Sequence, residues 1–179
     1  MKRIAILGST GSIGTSTLQV VNHLSPDVKV VALAAHSNIE LLEKQIYDYK
    51  PSIVAVYDKR KAEELRKKVS HIDVIIEEGM EGMKAVASYE EVDFVVSSIV
   101  GMAGLIPTIA AIEAGKDVGL ANKEVMVAAG ALVTALARER GVKIIPIDSE
   151  HNAVFQCLYG ESNEDIRRVI LTASGGPFY

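Results

Sequence analysis

The sequence predicts an α/β protein with a doubly wound, mainly parallel sheet. Short runs rich in β-branched residues alternate with longer amphipathic segments, which is the order that successive β-α-β units require. The short runs are apolar almost throughout instead of alternating with polar residues, as expected of strands that helices cover on both faces. A glycine-rich turn also follows the first run directly.

The strands and helices are predicted in the following order. The strands are placed at Ile4–Leu7, Val28–Ala35, Ile53–Val56, Val74–Ile76, Phe94–Val96, Val118–Leu120, Ile144–Ile147 and Val169–Thr172. The helices are placed at Ile13–His23, Ile39–Tyr49, Lys59–Lys68, Met80–Ala87, Leu105–Ala114 and Glu124–Arg140. Asn38 is expected to cap the second helix and Lys50-Pro51 to end it, while Gly115 and Gly141 lie at expected helix C-caps.

The composition is that of an ordinary globular protein and excludes several functional classes. The 179 residues are 49% hydrophobic and 23% charged, with a net charge of −4. Lysines and arginines are scattered among acidic residues, so no basic stripe indicates nucleic acid or an anionic membrane surface. No apolar segment reaches the roughly 20 residues that span a bilayer. Cys157 is the single cysteine, which excludes an intrachain disulfide and fits a cytoplasmic protein.

The segment from Gly8 to Gly14 predicts a phosphate-binding loop. Its sequence is GSTGSIG, and it follows the first strand directly and opens the first helix. Glycines allow a tight turn and a close approach of a pyrophosphate, and the helix N-terminus supplies N–H groups and a positive dipole end. The spacing GxxGxxG is a variant of the usual fingerprint, and its position between strand and helix favours a dinucleotide site in a Rossmann-like fold. A purely structural glycine turn is the alternative.

The end of the second strand favours NADP over NAD. An NAD site has Asp or Glu there, about 20 residues after the glycines, which bonds the ribose 2′-hydroxyl. This strand is followed by His36, Ser37 and Asn38, so no carboxylate repels a 2′-phosphate and three side chains can donate hydrogen bonds to it. Ser37 and Asn38 can also cap the second helix, and the two roles are compatible.

A second group of polar residues follows the sixth predicted strand. Lys123 and Glu124 begin a helix there, at a carboxyl end where α/β sheets place ligands. The alternative is a surface lysine beside an acid that favours the helix dipole. A similar position after the last predicted strand holds Ser174-Gly175-Gly176, where N–H groups and a hydroxyl suit a phosphate, although a simple turn is equally compatible.

Two carboxylates after the seventh predicted strand indicate a divalent metal site. Asp148 and Glu150 lie two residues apart, and residues i and i+2 of extended backbone share one face. A cation such as Mg²⁺ or Mn²⁺ relieves the repulsion between them. The alternative is that Asp148 or Ser149 caps a helix with Glu150 in its first turn. Spacing alone gives no role to His151 or Asn152.

Together these segments resemble the 1-deoxy-D-xylulose 5-phosphate reductoisomerases. The matching stretches are GSTGSIG at 8–14, VVAL at 30–33, VGMAGLIPTIAAIEAGK at 100–116, LANKE at 120–124, DSEHNAVFQ at 148–156 and TASGGPF at 172–178. The resemblance covers essentially the whole chain, and LANKE with DSEHNA is its most specific part. It implies an enzyme that uses NADPH and a divalent metal to convert 1-deoxy-D-xylulose 5-phosphate to 2-C-methyl-D-erythritol 4-phosphate in non-mevalonate isoprenoid synthesis.

The resemblance also implies roles for individual residues. NADPH would lie on Thr10, Gly11, Ser12, Ile13, His36, Ser37, Asn38, Asn122 and Glu124. The substrate, a small phosphorylated sugar, would contact Lys123, Ser149, Glu150 and Ser174, with Ser174 at its phosphate. The catalytic groups would be Lys123, Asp148 and Glu150, the two carboxylates binding Mg²⁺ or Mn²⁺. The family often has Gly-Lys where this chain has His36-Ser37.

The expected organisation is an NADPH-binding domain at 1–145 followed by the beginning of an α/β catalytic domain at 146–179. Members of the family are longer, and the resemblance places a third metal carboxylate, further phosphate ligands and a closing loop beyond Tyr179. On that expectation the chain is inactive alone. The longer enzyme would be a homodimer of the cytoplasm, or of the plastid, without nucleic-acid or membrane partners.

Two other classes stay open on the residues alone. A semialdehyde-type dehydrogenase also uses GxxGxxG but needs a nucleophilic cysteine, whereas Cys157 is predicted to lie on the core side of an amphipathic helix. A non-catalytic NADP-binding module would need the glycine loop but no pair of metal carboxylates.

Overall fold

The computed structural model describes residues 1–170 and contains a seven-stranded sheet in which all neighbouring strands are parallel. The strands are β1 (Lys2–Leu7), β2 (Val28–Ala35), β3 (Ile53–Val56), β4 (Ile75–Glu78), β5 (Phe94–Ser97), β6 (Asp117–Leu120) and β7 (Ile144–Pro146). Their order across the sheet is β4-β3-β2-β1-β5-β6-β7. The predicted doubly wound fold is therefore confirmed.

Helices cover both faces of this sheet. They are α1 (Ser12–Leu24), α2 (Ile39–Tyr49), α3 (Lys59–Lys68), α4 (Gly79–Ser88), α5 (Leu105–Glu113), α6 (Lys123–Arg140) and α7 (Ser149–Leu158). Buried residues of α1, α2 and α3 form one apolar cluster with the sheet, and those of α4, α5 and α6 form a second. No helix within residues 1–170 is both long and apolar enough to cross a membrane.

Strand β1 shows why the apolar runs are continuous. Ile4 and Ile6 pack in the cluster of α1 to α3, whereas Ala5 and Leu7 pack in the cluster of α4 to α6. Successive side chains of a strand point to opposite faces, so a strand covered on both sides needs an apolar residue at every position. This burial is the main source of stability for the sheet.

The direction of winding reverses between β1 and β5, which are neighbours at the centre of the sheet. At their carboxyl ends the backbone N–H of Ser98 donates to the Leu7 carbonyl at 2.9 Å. The helices that follow these two strands, α1 and α5, pack on opposite faces of the sheet. In doubly wound sheets such a reversal is where ligands bind.

The caps that were expected from the sequence are confirmed. The Asn38 side chain accepts a hydrogen bond from the N–H of Leu41 at the start of α2, and Lys50 ends that helix in the left-handed region with φ of 48°. Gly141 ends α6 with φ of 66°. Gly115 follows α5 with φ of 73°.

The end of the described chain differs from expectation. The seventh strand stops at Pro146, and α7 begins at Ser149 because the Asp148 carboxylate accepts a hydrogen bond from His151 N–H and ends the extended backbone. In the strand expected at 169–172, the first two residues belong to no strand and are 54% and 68% exposed, so no strand within residues 1–170 covers them. The last two lie outside the described residues.

The prediction that Cys157 lies in the core is wrong. Its side chain is exposed on α7, and α7 contributes no buried residue. The helix is amphipathic in sequence, but within residues 1–170 its apolar face borders an open groove instead of the core of the sheet.

Candidate active site

The turn after β1 contains two glycines that the packing of the chain's own backbone requires. Gly8 has φ of +87°, and a Cβ on it would lie 2.9 Å from the Ser98 carbonyl oxygen. Gly14 packs the first turn of α1 onto the turn, and a Cβ there would lie 2.6 Å from the Cα of Ser9. Any side chain at either position would therefore displace backbone.

Gly11 is different, because nothing in the chain demands a glycine there. Its φ is −82°, and an added Cβ would meet only the Gly8 carbonyl oxygen, at 3.4 Å. Gly11, Ser12 and Ile13 are exposed, and Thr10 is half-buried. Within residues 1–170 no side chain caps α1, and its first turn holds no acidic residue. The first N–H groups of this exposed helix start are therefore available to an anion.

A buried side chain that the sequence analysis missed anchors this turn. Ser9 is fully buried, and its hydroxyl donates to Gln45 Oε1 at 2.7 Å. Gln45 Nε2 in turn donates to the Ser9 carbonyl at 2.9 Å. The detectable signal was a glutamine on the apolar face of α2, where a buried polar group must find partners.

The residues after β2 lie beside this turn. The N–H groups of Gly8 and Ser9 both donate to the Ala34 carbonyl, at 2.8 and 2.9 Å. His36 is exposed and Ser37 is half-buried. No carboxylate follows β2 directly. Glu40 lies in the first turn of α2, and Asp58, two residues after β3, caps α3 through the N–H groups of Arg60 and Lys61.

Asn122 lies after β6 and holds two loops together. Its side chain accepts from Glu124 N–H at 2.9 Å to cap α6, and its amide donates to the carbonyls of Ile99 and Gly101. The residue is only 5% exposed. The amide hydrogens therefore fix the segment after β5 against the start of α6, and only its remaining polar atoms are open to a cofactor.

A cavity of about 580 Å³ runs along α6, from its start to its C-terminal half, and is bounded on the other side by β7 and α7. Lys123, Asp148, Glu150 and His151 line it together with apolar side chains of α6, β7 and α7. Lys123 and Ser149 are exposed. The structure therefore brings Lys123, Asp148 and Glu150 to one cavity, whereas Ser149 does not line it and Ser174 lies outside the described residues.

The expectation that Asp148 and Glu150 share a face of extended backbone is wrong. Asp148 is the N-cap of α7 and Glu150 lies in its first turn, so the capping alternative is confirmed. The two carboxylates are still close enough for the charge of Asp148 to act on Glu150. Capping and metal binding are compatible, because a capping carboxylate keeps free lone pairs.

Hydrogen bonds keep both carboxylates ionised. Partial burial acts to raise the pKa of Asp148, but the backbone N–H and ring of His151 outweigh it and lower that pKa. The pKa of Glu150 is lowered by its own backbone N–H, by the Ser149 hydroxyl and by the charge of Lys123. Two anionic groups at one wall of a cavity suit a hard cation.

Two neighbours without a predicted role support these carboxylates. His151 Nδ1 lies 2.8 Å from Asp148 Oδ1 and fixes a carboxylate whose side chain is only 13% exposed. Asn152 donates to the Pro146 carbonyl at 2.7 Å and ties α7 to β7. The signal in the sequence is the position of His151 and Asn152 in the first turn after the N-cap Asp148. An interpretation of this segment as extended backbone does not reveal it.

The candidate metal ligands form a partial set. Within residues 1–170 no cluster of three or more His, Cys, Asp or Glu side chains is arranged to hold a metal ion. Mg²⁺ prefers octahedral oxygen coordination and keeps several waters when few carboxylates are present. Asp148 and Glu150 therefore fit a cation that takes its other ligands from water, substrate or further protein groups.

Comparison with known proteins places these features in a family. Residues 4–130 match the family model described as 1-deoxy-D-xylulose 5-phosphate reductoisomerase, and residues 144–179 match the model described as its C-terminal domain. The chain is 56% identical to the 1-deoxy-D-xylulose 5-phosphate reductoisomerase of Protochlamydia amoebophila, over 99% of the chain and 46% of that protein. Identity to that of Lachnoclostridium phytofermentans is 54%, with the same coverage.

Solved structures give the same result. The Zymomonas mobilis 1-deoxy-D-xylulose 5-phosphate reductoisomerase in complex with NADPH matches with a TM-score of 0.92 and 37% identity, over 99% of this chain and 47% of that one. A DOX-P reductoisomerase in complex with NADPH, fosmidomycin and magnesium matches with a TM-score of 0.85 and 43% identity, over 88% and 39%. The chain thus spans about half the length of the proteins that it matches.

Proposed function

The chain belongs to the 1-deoxy-D-xylulose 5-phosphate reductoisomerase family, and from this we propose that it forms the NADPH-binding part of such an enzyme, together with the first metal carboxylates. The reaction is the conversion of 1-deoxy-D-xylulose 5-phosphate to 2-C-methyl-D-erythritol 4-phosphate, a step of non-mevalonate isoprenoid synthesis. The cofactors are NADPH and Mg²⁺ or Mn²⁺.

The observation that carries this proposal is the order of polar groups across the sheet. The segment directly after β2 contains no acidic residue, the glycine turn follows β1, and the loop with Asn122 follows β6. The carboxylates follow β7 at the edge. This order matches a dinucleotide with its adenosine over β2, its pyrophosphate on α1 and its nicotinamide towards β5 and β6. The substrate and metal would follow beside the nicotinamide.

The residues present fit both cofactors. The exposed position of Gly11 and the uncapped N–H groups of α1 suit a pyrophosphate. The absence of an acid directly after β2 suits a 2′-phosphate, for which His36, Ser37 and Asn38 are the proposed donors. Asp148 and Glu150 would hold the cation. When bound, NADPH supplies a hydride and the metal supplies a Lewis acid.

The chain's own groups hold and orient the reactants. The Lys123 ammonium lies in the same cavity as the two carboxylates and would attract an anionic substrate towards them. The Ser149 hydroxyl, which donates to Glu150 at 2.9 Å, is proposed as a further substrate contact, as is Ser174. The apolar walls of the cavity would help to exclude water.

The organisation of the whole protein belongs to the same proposal. The division into an NADPH-binding domain at 1–145 and the start of a catalytic domain at 146–179 stays a prediction, as do the homodimer and the cytoplasmic location. The matched relatives are more than twice as long as the stretch they share with this chain, so the remaining metal and phosphate ligands are proposed to lie in that further length.

The decisive experiment joins residues 1–170 to the remaining length of the Protochlamydia amoebophila relative. We expect this protein to oxidise NADPH with 1-deoxy-D-xylulose 5-phosphate and Mn²⁺, and to prefer NADPH over NADH. Ser37→Asp should narrow that preference, because its charge would repel the 2′-phosphate. The unjoined chain, which lacks the added length, should bind NADPH in calorimetry but should not oxidise it with the substrate.

The matched control is Ser70→Asp, which adds the same charge after α3, near the amino ends of the strands. It should leave the preference for NADPH over NADH unchanged. Equal dissociation constants for NADPH and NADH in the unmutated protein would contradict the proposed 2′-phosphate site. Turnover by the unjoined chain at the rate of the joined protein would contradict the proposed division of the active site.

A further inference from the structure

We propose that Tyr57, stacked on His36, forms an aromatic platform for the adenine ring of the cofactor. The proposal rests on the NADPH site proposed above and deepens it, since it concerns the base and not the phosphates. Tyr57 directly follows β3. The other proposed contacts to the adenosine half of the cofactor lie in the glycine turn and in the segment after β2. Tyr57 belongs to neither of these segments.

Backbone hydrogen bonds bring the two rings together. Tyr57 N–H donates to the Ala35 carbonyl and Asp58 N–H donates to the His36 carbonyl, each at 2.9 Å. The ring centroids of His36 and Tyr57 are 5.2 Å apart, with an angle of 24° between the ring planes. The stack is therefore held by the adjoining ends of two neighbouring strands.

The stack lies on the side of the glycine turn on which the adenosine half of a dinucleotide is expected. The glycine turn is hydrogen-bonded to Ala34, two residues before His36. A dinucleotide whose pyrophosphate sits on α1 places its ribose over the end of β2, and its base extends beyond the ribose on the side away from the pyrophosphate. The next strand on that side is β3, which ends at Tyr57.

A second His–Tyr pair shows what is particular about this stack. Tyr47 and His71 have centroids 6.1 Å apart at an angle of 36°, and a 3.1 Å hydrogen bond between the tyrosine hydroxyl and Nε2 accounts for their approach. They lie near the C-terminal ends of α2 and α3, at the edge of the sheet away from the glycine turn. Among the described residues, no side-chain hydrogen bond joins His36 to Tyr57.

The stack also presents surface to a ligand. Tyr57 is 40% exposed and His36 is exposed as well, so part of the paired aromatic surface stays open at the carboxyl edge. Aromatic side chains bind bases through their π faces without depending on the identity of the base. An exposed, nearly parallel aromatic pair beside the proposed phosphate-binding turn therefore fits the base of a dinucleotide.

The test measures NADPH affinity of the purified protein by calorimetry for three variants. Tyr57→Leu keeps an apolar side chain but removes the ring, and should weaken NADPH binding about tenfold or more, given the usual strength of base–aromatic stacking. Tyr57→Phe keeps the ring and should retain the affinity. Tyr47→Leu is the matched control from the second pair and should also retain it.

Saturation-transfer NMR gives an independent readout that does not need a variant. Irradiation of the Tyr57 ring protons should transfer saturation to the adenine protons of NADPH bound to the unmutated protein. Unchanged affinity in a folded Tyr57→Leu protein, or bound NADPH without transfer to adenine, would overturn the platform. Failure of the unmutated protein to bind NADPH would instead overturn the proposed cofactor site itself.

Discussion

At the scale of single residues, the three glycines of the turn after β1 have separate physical reasons. Gly8 and Gly14 are required by the chain's own backbone, because an added Cβ would collide with main-chain atoms. Gly11 meets no such obstacle, and its neighbours in the first turn of α1 carry uncapped N–H groups. We infer that Gly11 is a glycine for the sake of a ligand.

This difference predicts opposite effects of the same substitution. Gly14→Ala should destabilise the fold by about 1–3 kcal/mol through overpacking. Gly11→Ala should change stability by no more than about 1 kcal/mol, the range of N-cap substitutions. Its added methyl group lies where the pyrophosphate is proposed, so NADPH affinity should fall by about tenfold, or roughly 1.4 kcal/mol.

Urea unfolding and NADPH calorimetry on the two variants check this prediction. Gly130→Ala, in the middle of α6 with only Met126 nearby, is the control for a methyl group added away from the turn. A Gly11→Ala protein that binds NADPH like the unmutated one would show that no ligand approaches this residue closely.

At the scale of elements, α7 begins at a residue with two proposed tasks. The Asp148 carboxylate accepts from His151 N–H and so caps the helix, and it lies beside Glu150 in the cavity proposed for the metal. Asn is as good an N-cap as Asp but carries no charge for a cation. Substitutions can therefore separate the cap from the metal ligand.

We expect Asp148→Asn to keep α7 intact while removing cation binding. Asp148→Ala should remove both, with a loss of about 1 kcal/mol of helix stability. Hydrogen exchange reports on α7, and the broadening of His151 ring protons by Mn²⁺ reports on the cation. Both variants should bind NADPH normally, because the glycine turn lies after β1.

The control for this pair is Glu161→Gln, which removes an exposed acid just after α7 and should leave the Mn²⁺ effect in place. If Mn²⁺ still broadened the His151 signals of Asp148→Asn as strongly as in the unmutated protein, Asp148 would be a cap and nothing more.

Element boundaries were predictable where local chemistry decides them. The bounds of β2, β3, α2 and α3 follow from apolar runs and from caps such as Asn38. The sequence leaves the start of α7 open, because a carboxylate after a strand is compatible both with continued extension and with a helix cap. Only the bond to His151 decides between them.

Contacts between distant segments could not be predicted in this way. The Ser9–Gln45 pair and the His36–Tyr57 stack each join residues of different β-α units. Their partners depend on how neighbouring strands align, which no local pattern contains. The phosphate turn was predictable as a sequence, whereas the side chains that anchor and extend it were not.

At the scale of the whole molecule, an ion pair joins β1 to the segment just before β5, its neighbour at the centre of the sheet. Arg3 at the start of β1 donates to both oxygens of Asp93, which lies just before β5. The Arg3 side chain, with help from its backbone N–H, lowers the pKa of Asp93 from 3.8 to about 2. This contact lies at the amino edge, opposite the proposed active site.

The pair predicts a specific dependence of stability on pH. Because the pKa of Asp93 is depressed in the folded state, its contribution is full above pH 3.8 and is lost as the pH falls through about 2. The side chains are 40% and 31% exposed, so solvent screening reduces the contribution to about 1 kcal/mol.

Urea unfolding of Asp93→Asn beside the unmutated protein tests this expectation. The variant should be less stable by about 1 kcal/mol at neutral pH, and the two curves should converge as the solution is acidified towards pH 2. Asp73→Asn, which neutralises an exposed aspartate before β4, should show no such convergence. A constant gap at all pH values would mean that the pair does not stabilise through its charge.

The reversal of strand order at β1 has a consequence for how such a protein can change over time. The residues proposed to contact adenosine all precede α4, the helix that connects β4 at one edge of the sheet to β5 at its centre. The residues proposed to contact nicotinamide, substrate and metal all follow it. The two ends of one cofactor are thus encoded in consecutive, non-overlapping stretches of the gene. Recombination within α4 would exchange one end as a unit, so preference for NAD or NADP can evolve independently of the chemistry that uses it.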